Sequence, residues 1–442
     1  ATAEATEWHG AWTTFAALEK SWAYRQDQLP STHPIVAEIN DLEDVQVNFD
    51  GITYAKGASV LKQLVAWVGQ EKFMAGVSAY FKKHAYMNTE LPDLLRELEA
   101  QSGRDLKSWS ANWLETAGVN TLRPKLEVTG GKISKLDILQ SAIEEHPTIR
   151  PHRMAIGFYN LVDGQLKRTD RIEIDVDGYE TSVPQAEGIE LPDLLLLNDD
   201  DLAYAKIRLD DNSWANAVKH LGVFEDSLPR TIVWGAAWDA TRDAETSPRE
   251  FIQLVLNNIS AETESTTILT LLRQLITTGN LYVAEAHREE FLVAIGDGLL
   301  DLARKVAAGS DLQLQLLKFF PQFARTEGQL DALEAILTST EKINGLEIDA
   351  DLKWDLLAGL VVAGRKGEAD IDALLATDNT ANGQRAAAGA KAAIPSTEAK
   401  AKAVKPLVEK IITTALKNDL TSRRELIRLL PQKMAIKKAI EV

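Results

Sequence analysis

Apolar residues recur with the period of an α-helix along most of this 442-residue chain. In the clearest example, between residues 57 and 68, apolar positions three and four apart form one helical face. These positions are Val60, Leu61, Leu64, Val65 and Val68. The helical period covers residues 1 to about 118 and returns beyond about residue 210. The chain is therefore predicted to be mostly α-helical.

Between residues 119 and 210 the period changes to two, which is the period of a β-strand. Residues 154–158 alternate in this way, and Gly130-Gly131 is one of several turn dipeptides between such runs. About seven short strands with no helix between them are typical of a small β-sandwich. The last two, residues 194–197 and 204–209, are expected to pair across the turn at residues 198–201.

These changes of period predict three domains. A helical region covers residues 1–118, a β-sandwich residues 119–210, and a second helical region residues 211–442. The second helical region is typical of stacked helical hairpins or an α-solenoid, although it contains no clean sequence repeat. The fold class is thus mostly α with a β-sandwich.

The amino-acid composition is that of a globular protein and excludes several other classes. Hydrophobic content of 45% and charged content of 26% are those of a globular protein. The longest apolar run, residues 356–364, is much shorter than the roughly 18 residues of a membrane helix, and the first residues do not resemble a signal peptide. The absence of cysteine excludes disulfides, thiol nucleophiles and thiolate metal ligands. We therefore expect a cytoplasmic protein without a membrane span.

The net charge of −17 is unevenly distributed. Residues 391–442 carry twelve Lys or Arg and five Asp or Glu, which gives +7 there and −24 for residues 1–390. An acidic body repels nucleic acid, and the basic end lacks interleaved aromatic residues. We expect no binding to nucleic acid and interpret the basic end as a solvated helical face.

Tyr54 is the candidate catalytic residue. It lies in the first turn of the patterned helix, whose N-cap is expected to be Asp50 or Thr53. A phenol with an ordinary pKa of about 10 keeps its proton at neutral pH and can donate a hydrogen bond to a developing oxyanion. Packing of a tyrosine at a helix end is the alternative interpretation of the same pattern.

The segment FDGITYAKGASVL, residues 49–61, resembles the FDxxxYxKGxxVL segment of the zinc aminopeptidase N family, and STHPI at residues 31–35 resembles a segment that precedes it there. Residues 72–118 and 194–210 are similar as well, and the match is close to actinobacterial members. The resemblance implies that Tyr54 helps a zinc ion to stabilise the tetrahedral intermediate of peptide hydrolysis. It also implies the helical tail of a thermolysin-like domain, a β-sandwich, and a helical bowl that restricts the active site to peptides.

The zinc motif of that family, HExxH with a downstream glutamate, does not occur in this sequence. None of the seven histidines forms the i, i+4 pair that such a site needs. We therefore expect the C-terminal portion of a zinc aminopeptidase, inactive alone, with no metal bound to this chain. Its expected partners are peptides and the missing N-terminal and zinc-binding regions of the same protein.

A non-catalytic helical scaffold that binds peptide or protein partners is the alternative function. The reading frame upstream of Ala1 distinguishes the two, because an enzyme would encode HExxH there.

Other constellations are weaker. Ser59 and Lys62 have S-x-x-K spacing without the companion motifs of penicillin-binding proteins. The acidic run at residues 198–201 lacks the ligand spacing of an EF-hand and is interpreted as a turn. His146 and His152 are expected in a loop, where a metal site is disfavoured.

The sequence predicts roles for three further residues. Lys56 and Gly57 belong to the family segment and are expected to be a solvated helix residue and a close helix contact, respectively. Arg428 lies in the basic end, and we consider it as a ligand for a peptide carboxylate, although a surface helix is the simpler interpretation.

Overall fold

The computed structural model describes residues 5–8 and 10–416. The chain forms two compact units, Ala1–Thr278 and Gly279–Val442. The division falls inside the predicted C-terminal helical domain and coincides with neither predicted boundary. The three-domain division therefore stays a prediction.

The first unit opens with one continuous helical rod. Its middle is a π-helical segment, Phe15–Lys20, between the α-helices Ala11–Thr14 and Ser21–Asp27. The sequence after Leu29, with Pro30 and Pro34, predicts an extended loop as far as Phe49. This segment contains a short helix instead, Leu42–Val47, because the Asp41 carboxylate accepts hydrogen bonds from two amides of its first turn.

A second π-helical segment, Ile52–Lys56, leads into the patterned helix Gly57–Val68. Three more helices follow: Gln70–Lys83, Leu91–Ser102 and Lys107–Leu114. Trp109 and Trp113 lie four residues apart and are buried in one apolar core with Leu64, as their spacing predicts.

Seven strands follow within the described residues and form two small sheets. They are β1 Thr121–Thr129, β2 Lys132–Ser141, β3 His152–Val162, β4 Gln165–Val176, β5 Glu180–Ser182, β6 Leu194–Asp199 and β7 Lys206–Ile207. The strand order is β5-β2-β1-β7 in one sheet and β4-β3-β6 in the other. The predicted hairpins β1–β2 and β3–β4 are present, with positive φ angles at Gly130 and Gly131 and at Asp163 and Gly164.

The predicted pairing of the last two strands is wrong. β6 pairs with β3, whereas β7 runs parallel to β1 in the other sheet. The turn at residues 198–201 therefore carries the chain from one sheet to the other. Asn198, Asp200 and Asp201 have positive φ angles, which Asn and Asp tolerate better than most residues.

Four α-helices complete the first unit: Asp211–His220, Ser227–Arg242, Pro248–Asn258 and Ser265–Thr277. Helices Asp211–His220 and Ser227–Arg242 contact β6, and the latter also contacts the π segment Phe15–Lys20. This packing explains why they group with the strands and the opening helices.

The second unit is helical throughout its described residues. Its α-helices are Arg288–Lys305, Asp311–Phe319, Glu327–Leu337, Ala350–Val362, Glu368–Thr377, Ala381–Ala393 and Thr397–Leu416. Helix Arg288–Lys305 packs on Asp311–Phe319, Glu327–Leu337 on Ala350–Val362, and Glu368–Thr377 on Ala381–Ala393, in agreement with the predicted helical hairpins. Of the helices described, none is both long and apolar enough to cross a membrane.

Candidate functional site around Tyr54

Tyr54 lies in the π segment Ile52–Lys56 and keeps 48% of its surface exposed. Ile52 and Ala55 of the same segment are buried, so the segment is anchored on one side and presents the phenol on the other. Short π segments inside helices occur frequently at functional sites. The structure therefore places Tyr54 where a ligand can reach its hydroxyl.

Asp50, not Thr53, caps this segment. Its Oδ1 accepts hydrogen bonds from the amides of Ile52 and Thr53 at 3.0 Å each. Its Oδ2 lies 3.0 Å from Nε2 of His33, whose Nδ1 is 2.7 Å from the Pro34 carbonyl oxygen. The two segments that carry the family resemblance thus meet directly, through one carboxylate that also orders the turn before Tyr54.

An exposed aromatic ring lies beside Tyr54, and the short helix before it exposes further apolar residues. The Phe49 ring lies 4.7 Å from the Tyr54 ring, measured between centroids, and 66% of Phe49 is exposed. Helix Leu42–Val47 buries none of its residues, and Leu42 and Val47 are 81% and 70% exposed. Exposed apolar patches of this kind mark binding surfaces for proteins or ligands.

Behind Tyr54, Lys56 is fully buried, so its expected position on a solvated face is wrong. Its Nζ lies 2.8 Å from Oδ2 of Asp27, and neither side chain is exposed. Burial lowers the pKa of Lys56 to about 8, against the opposing effect of the Asp27 carboxylate. The turn that exposes Tyr54 is thus fixed from inside by an ion pair.

Gly118 joins both members of this pair. Its carbonyl oxygen accepts a hydrogen bond from Lys56 Nζ at 3.1 Å, and its amide donates to Asp27 Oδ1 at 2.9 Å. Tyr204 donates its hydroxyl to Asp27 Oδ2 at 3.2 Å, and Thr32 donates to Oδ1. We call Asp27, Lys56 and Gly118 the buried junction.

Gly118 is required at its position. Its φ angle is +92°, and a Cβ atom there would lie 2.6 Å from Cβ of His146. Gly57, by contrast, has ordinary space for a Cβ atom, with the nearest heavy atoms at 3.9 Å, so the expected close helix contact is absent.

The buried guanidinium of Arg150 fixes the segment around Gly118 to the sheets. It donates hydrogen bonds to the carbonyl oxygens of Asn112 and Ala117, and to the side chains of Thr116 and Asn120. The segment between the last helix of residues 1–118 and β1 is therefore rigidly held.

The weaker constellations have structural roles. Ser59 is buried, while Lys62 Nζ donates to the Asp200 carbonyl oxygen and lies 4.0 Å from the centroid of the Trp12 ring. Lys62 therefore contacts Asp200 and Trp12 and is not paired with Ser59. His152 starts β3, instead of lying in a loop, and its buried Nε2 lies 2.8 Å from Oε1 of Gln140.

The carboxylates of the acidic turn pair with basic side chains from other helices and strands. Asp199 accepts hydrogen bonds from Arg168 and Tyr159, and Asp201 pairs with buried Lys20. Burial raises the pKa of the Tyr159 phenol, which therefore stays protonated as the donor to Asp199. This confirms the interpretation of residues 198–201 as a turn.

The described side chains form no metal site. Across residues 5–8 and 10–416, no three His, Asp or Glu side chains converge in a way that could hold a metal ion. Arg428, the candidate ligand for a peptide carboxylate, lies outside the described residues.

Comparison with known proteins identifies the family to which the chain belongs. The family model of the ERAP1-like C-terminal domain matches residues 194–421, more than half of the chain, and that of the peptidase family M1 domain matches residues 1–113. Aminopeptidase N of Streptomyces lividans is 52% identical over 417 residues, which cover 92% of this chain and 49% of that protein. The chain belongs to the aminopeptidase N family of M1 peptidases.

More distant members of the aminopeptidase N family match shorter parts. Aminopeptidase M1-B of Oryza sativa subsp. japonica is 29% identical over 244 residues, 51% of this chain and 27% of that protein. The leucyl aminopeptidase of Saccharolobus solfataricus is 36% identical over 123 residues, 28% of this chain and 15% of that protein. The chain thus spans about half the length, or less, of these curated relatives.

The M1 aminopeptidases are zinc enzymes, and the described residues of this family member do not fit a zinc site. The candidate site described in this chain consists of Tyr54, its cap Asp50 and the buried junction. The sequence drew attention to Tyr54 and Asp50. It gave no sign of Asp27 or Tyr204, whose partners are distant along the chain.

Proposed function

We propose that this chain is the C-terminal portion of a zinc-dependent aminopeptidase that removes N-terminal residues from peptides, and that Tyr54 is its oxyanion-stabilising residue. The exposed phenol on an anchored turn supports this proposal most directly. Zinc belongs to the intact protein, where residues outside this chain would supply its ligands.

The chemistry assigned to Tyr54 is hydrogen-bond donation. As the scissile carbonyl becomes tetrahedral, its oxygen gains negative charge, and a fixed neutral donor stabilises that charge more than it stabilises the ground state. The apolar surface formed by Phe49 and the helix Leu42–Val47 would then face the peptide or the remaining part of the catalytic domain.

Tyr54→Phe in the full-length protein tests this role. The substitution keeps the ring that packs on Phe49 and removes only the hydroxyl. We expect kcat to fall about 10²- to 10³-fold with KM little changed, because the lost hydrogen bond is made chiefly in the transition state. Hydrolysis of an aminoacyl-fluorophore measures both constants.

Tyr179→Phe is the matched control, since Tyr179 is 71% exposed and precedes β5 on the sandwich. It should leave kcat unchanged. A Tyr54→Phe enzyme that retains the wild-type kcat would refute the role.

The chain alone is proposed to be inactive. The same assay, with the 442-residue chain and added zinc, should show no turnover. Turnover that a chelator abolishes would contradict this and would require a metal site among these residues. The cytoplasm stays our predicted location, based on the cysteine-free composition.

A further inference from the structure

Tyr54 and Lys56 lie two residues apart in one π segment, and they point to opposite sides of it. Tyr54 is 48% exposed, whereas Lys56 is 0% exposed. Because the Lys56 side chain is buried and held at its Nζ, it ties the short backbone segment that carries the phenol to the interior of the unit.

The buried junction holds Lys56 from two directions. Asp27 is the last residue of the helix Ser21–Asp27, and Gly118 lies between the helix Lys107–Leu114 and β1. Lys56 Nζ contacts an atom of each, at 2.8 Å and 3.1 Å. Three elements distant along the chain thus converge on one ammonium group.

Stability alone is a poor explanation for such a pair. Removing two charges from water costs several kcal/mol per ion, and apolar residues of similar volume often stabilise a fold equally well. A buried pair with every contact satisfied does, however, specify one geometry, because any other arrangement leaves a charge unpaired.

We propose that Lys56 and Asp27 are positioning residues that fix the π segment and thereby hold the Tyr54 hydroxyl at the reacting carbonyl. The pair does not touch substrate. It acts through the backbone of residues 52–56. Gly118, which lies just before β1, is hydrogen-bonded to both members of the pair and so connects them to the strand. The kinetic part of this inference rests on the proposed function, whereas the conformational part does not.

The variants are Lys56→Met, which keeps the length of the side chain, and Lys56→Met with Asp27→Asn, which leaves no unpaired buried charge. The double variant retains an oxygen acceptor for the Gly118 amide, so it should fold even if the single variant does not. Arg230→Met is the matched control, because Arg230 and Glu262 form another buried ion pair, on the helix Ser227–Arg242.

Hydrogen exchange of the full-length protein gives the first readout. The amides of residues 52–57 should lose about tenfold or more of their protection in the Lys56 variants, beyond any change in the following helix. Arg230→Met should instead lower the protection of residues 52–57 and of that helix equally, because it destabilises the whole first unit. Unchanged protection of residues 52–57 would overturn the inference, whatever the role of Tyr54.

A double-mutant cycle with Tyr54→Phe gives the second readout. In the wild-type background the Lys56 variants should lower kcat about 10- to 100-fold with little change in KM, because small misplacements of a catalytic group are costly. In the Tyr54→Phe background the same changes should lower kcat no more than about threefold, since the group that they position is already absent.

Equal losses in the two backgrounds would overturn the positioning role and leave a purely structural one. A wild-type kcat in Tyr54→Phe alone would instead refute the proposed function, and hydrogen exchange would still decide whether the pair orders the segment.

Discussion

The two units of the molecule differ in the burial of their ion pairs. In the first unit, Lys56–Asp27, Lys20–Asp201 and Arg230–Glu262 are ion pairs whose side chains are no more than 7% exposed. In the second unit, the ion pairs described leave at least 29% of each acidic side chain exposed. Charge therefore sets geometry in the first unit, whereas the second unit is held mainly by the packing of apolar helical faces.

The largest expected effect is that of unpairing a buried charge in the first unit. Arg230→Met leaves Glu262 with the Trp234 indole N–H, at 2.7 Å, as its remaining side-chain donor. We expect the free energy of unfolding of the first unit to fall by about 3–5 kcal/mol. Hydrogen exchange measures this for each unit separately.

A double variant that removes the charges of both Arg230 and Glu262 tests whether the unpaired charge causes this loss of stability. Arg230→Met with Glu262→Met should recover most of the loss, because no unpaired charge remains buried. If the double variant is as unstable as the single one, packing and not charge explains the effect.

The second effect concerns pH. Burial, with a smaller contribution from Arg150, lowers the pKa of His152 to about 3, whereas an unfolded histidine has a pKa of about 6.5. Below about pH 6.5 the unfolded chain binds a proton that the native chain does not. Stability is therefore fully present above pH 6.5 and should fall by about 1.4 kcal/mol per pH unit as the pH decreases towards 3.

Urea titrations between about pH 6.5 and 4.5 measure this slope. His152→Gln, which keeps a donor for Gln140, should flatten the curve by the contribution of one proton. His287→Gln is the control in the second unit, since the side chain of His287 is 61% exposed. Equal slopes in the wild type and His152→Gln would show that other groups govern acid unfolding.

Gly118→Ala should have a smaller effect, confined to the first unit. The added Cβ atom must occupy a left-handed conformation at φ +92° and meet His146 at 2.6 Å. We expect a loss of about 1–3 kcal/mol in the free energy of unfolding. Gly130→Ala has a similar left-handed φ of +60° but open space, so a comparable loss there would assign the effect to backbone conformation alone.

The smallest expected effect is in the second unit. Arg304 binds Glu341 through two nitrogens at 3.0 and 3.1 Å, but the two side chains are 45% and 29% exposed. Arg304→Met should lower the free energy of unfolding by about 0.2–1 kcal/mol, and less at high salt. A loss close to that of Arg230→Met would remove the distinction between the units.

Local patterns predicted what is determined locally. Alternation and turn dipeptides identified β1 to β4, because each hairpin pairs neighbouring residues. The parallel pairing of β7 with β1 escaped prediction, since it joins residues far apart in sequence and involves only Lys206 and Ile207 of β7.

Around Tyr54, too, the sequence predicted local features and missed contacts between residues far apart in the chain. Asp50 was one of the two predicted caps, because a cap is determined by neighbouring residues, whereas the sequence left open whether Tyr54 packs or faces a ligand. The burial of Lys56 was not, because lysine is rarely buried without a partner and its partner Asp27 lies on another helix.

The acidic turn at residues 198–201 limits which parts of this chain can be exchanged separately. Asp199 binds Tyr159 within the strands, but Asp201 binds Lys20 of the opening rod. A chimera that imports residues 119–210 from a relative keeps the first contact and inherits the second only if the recipient has a lysine at position 20. A functional chimera of this chain is therefore expected to need the strands and the rod from the same parent, although 181 positions of sequence separate the two ends of that contact.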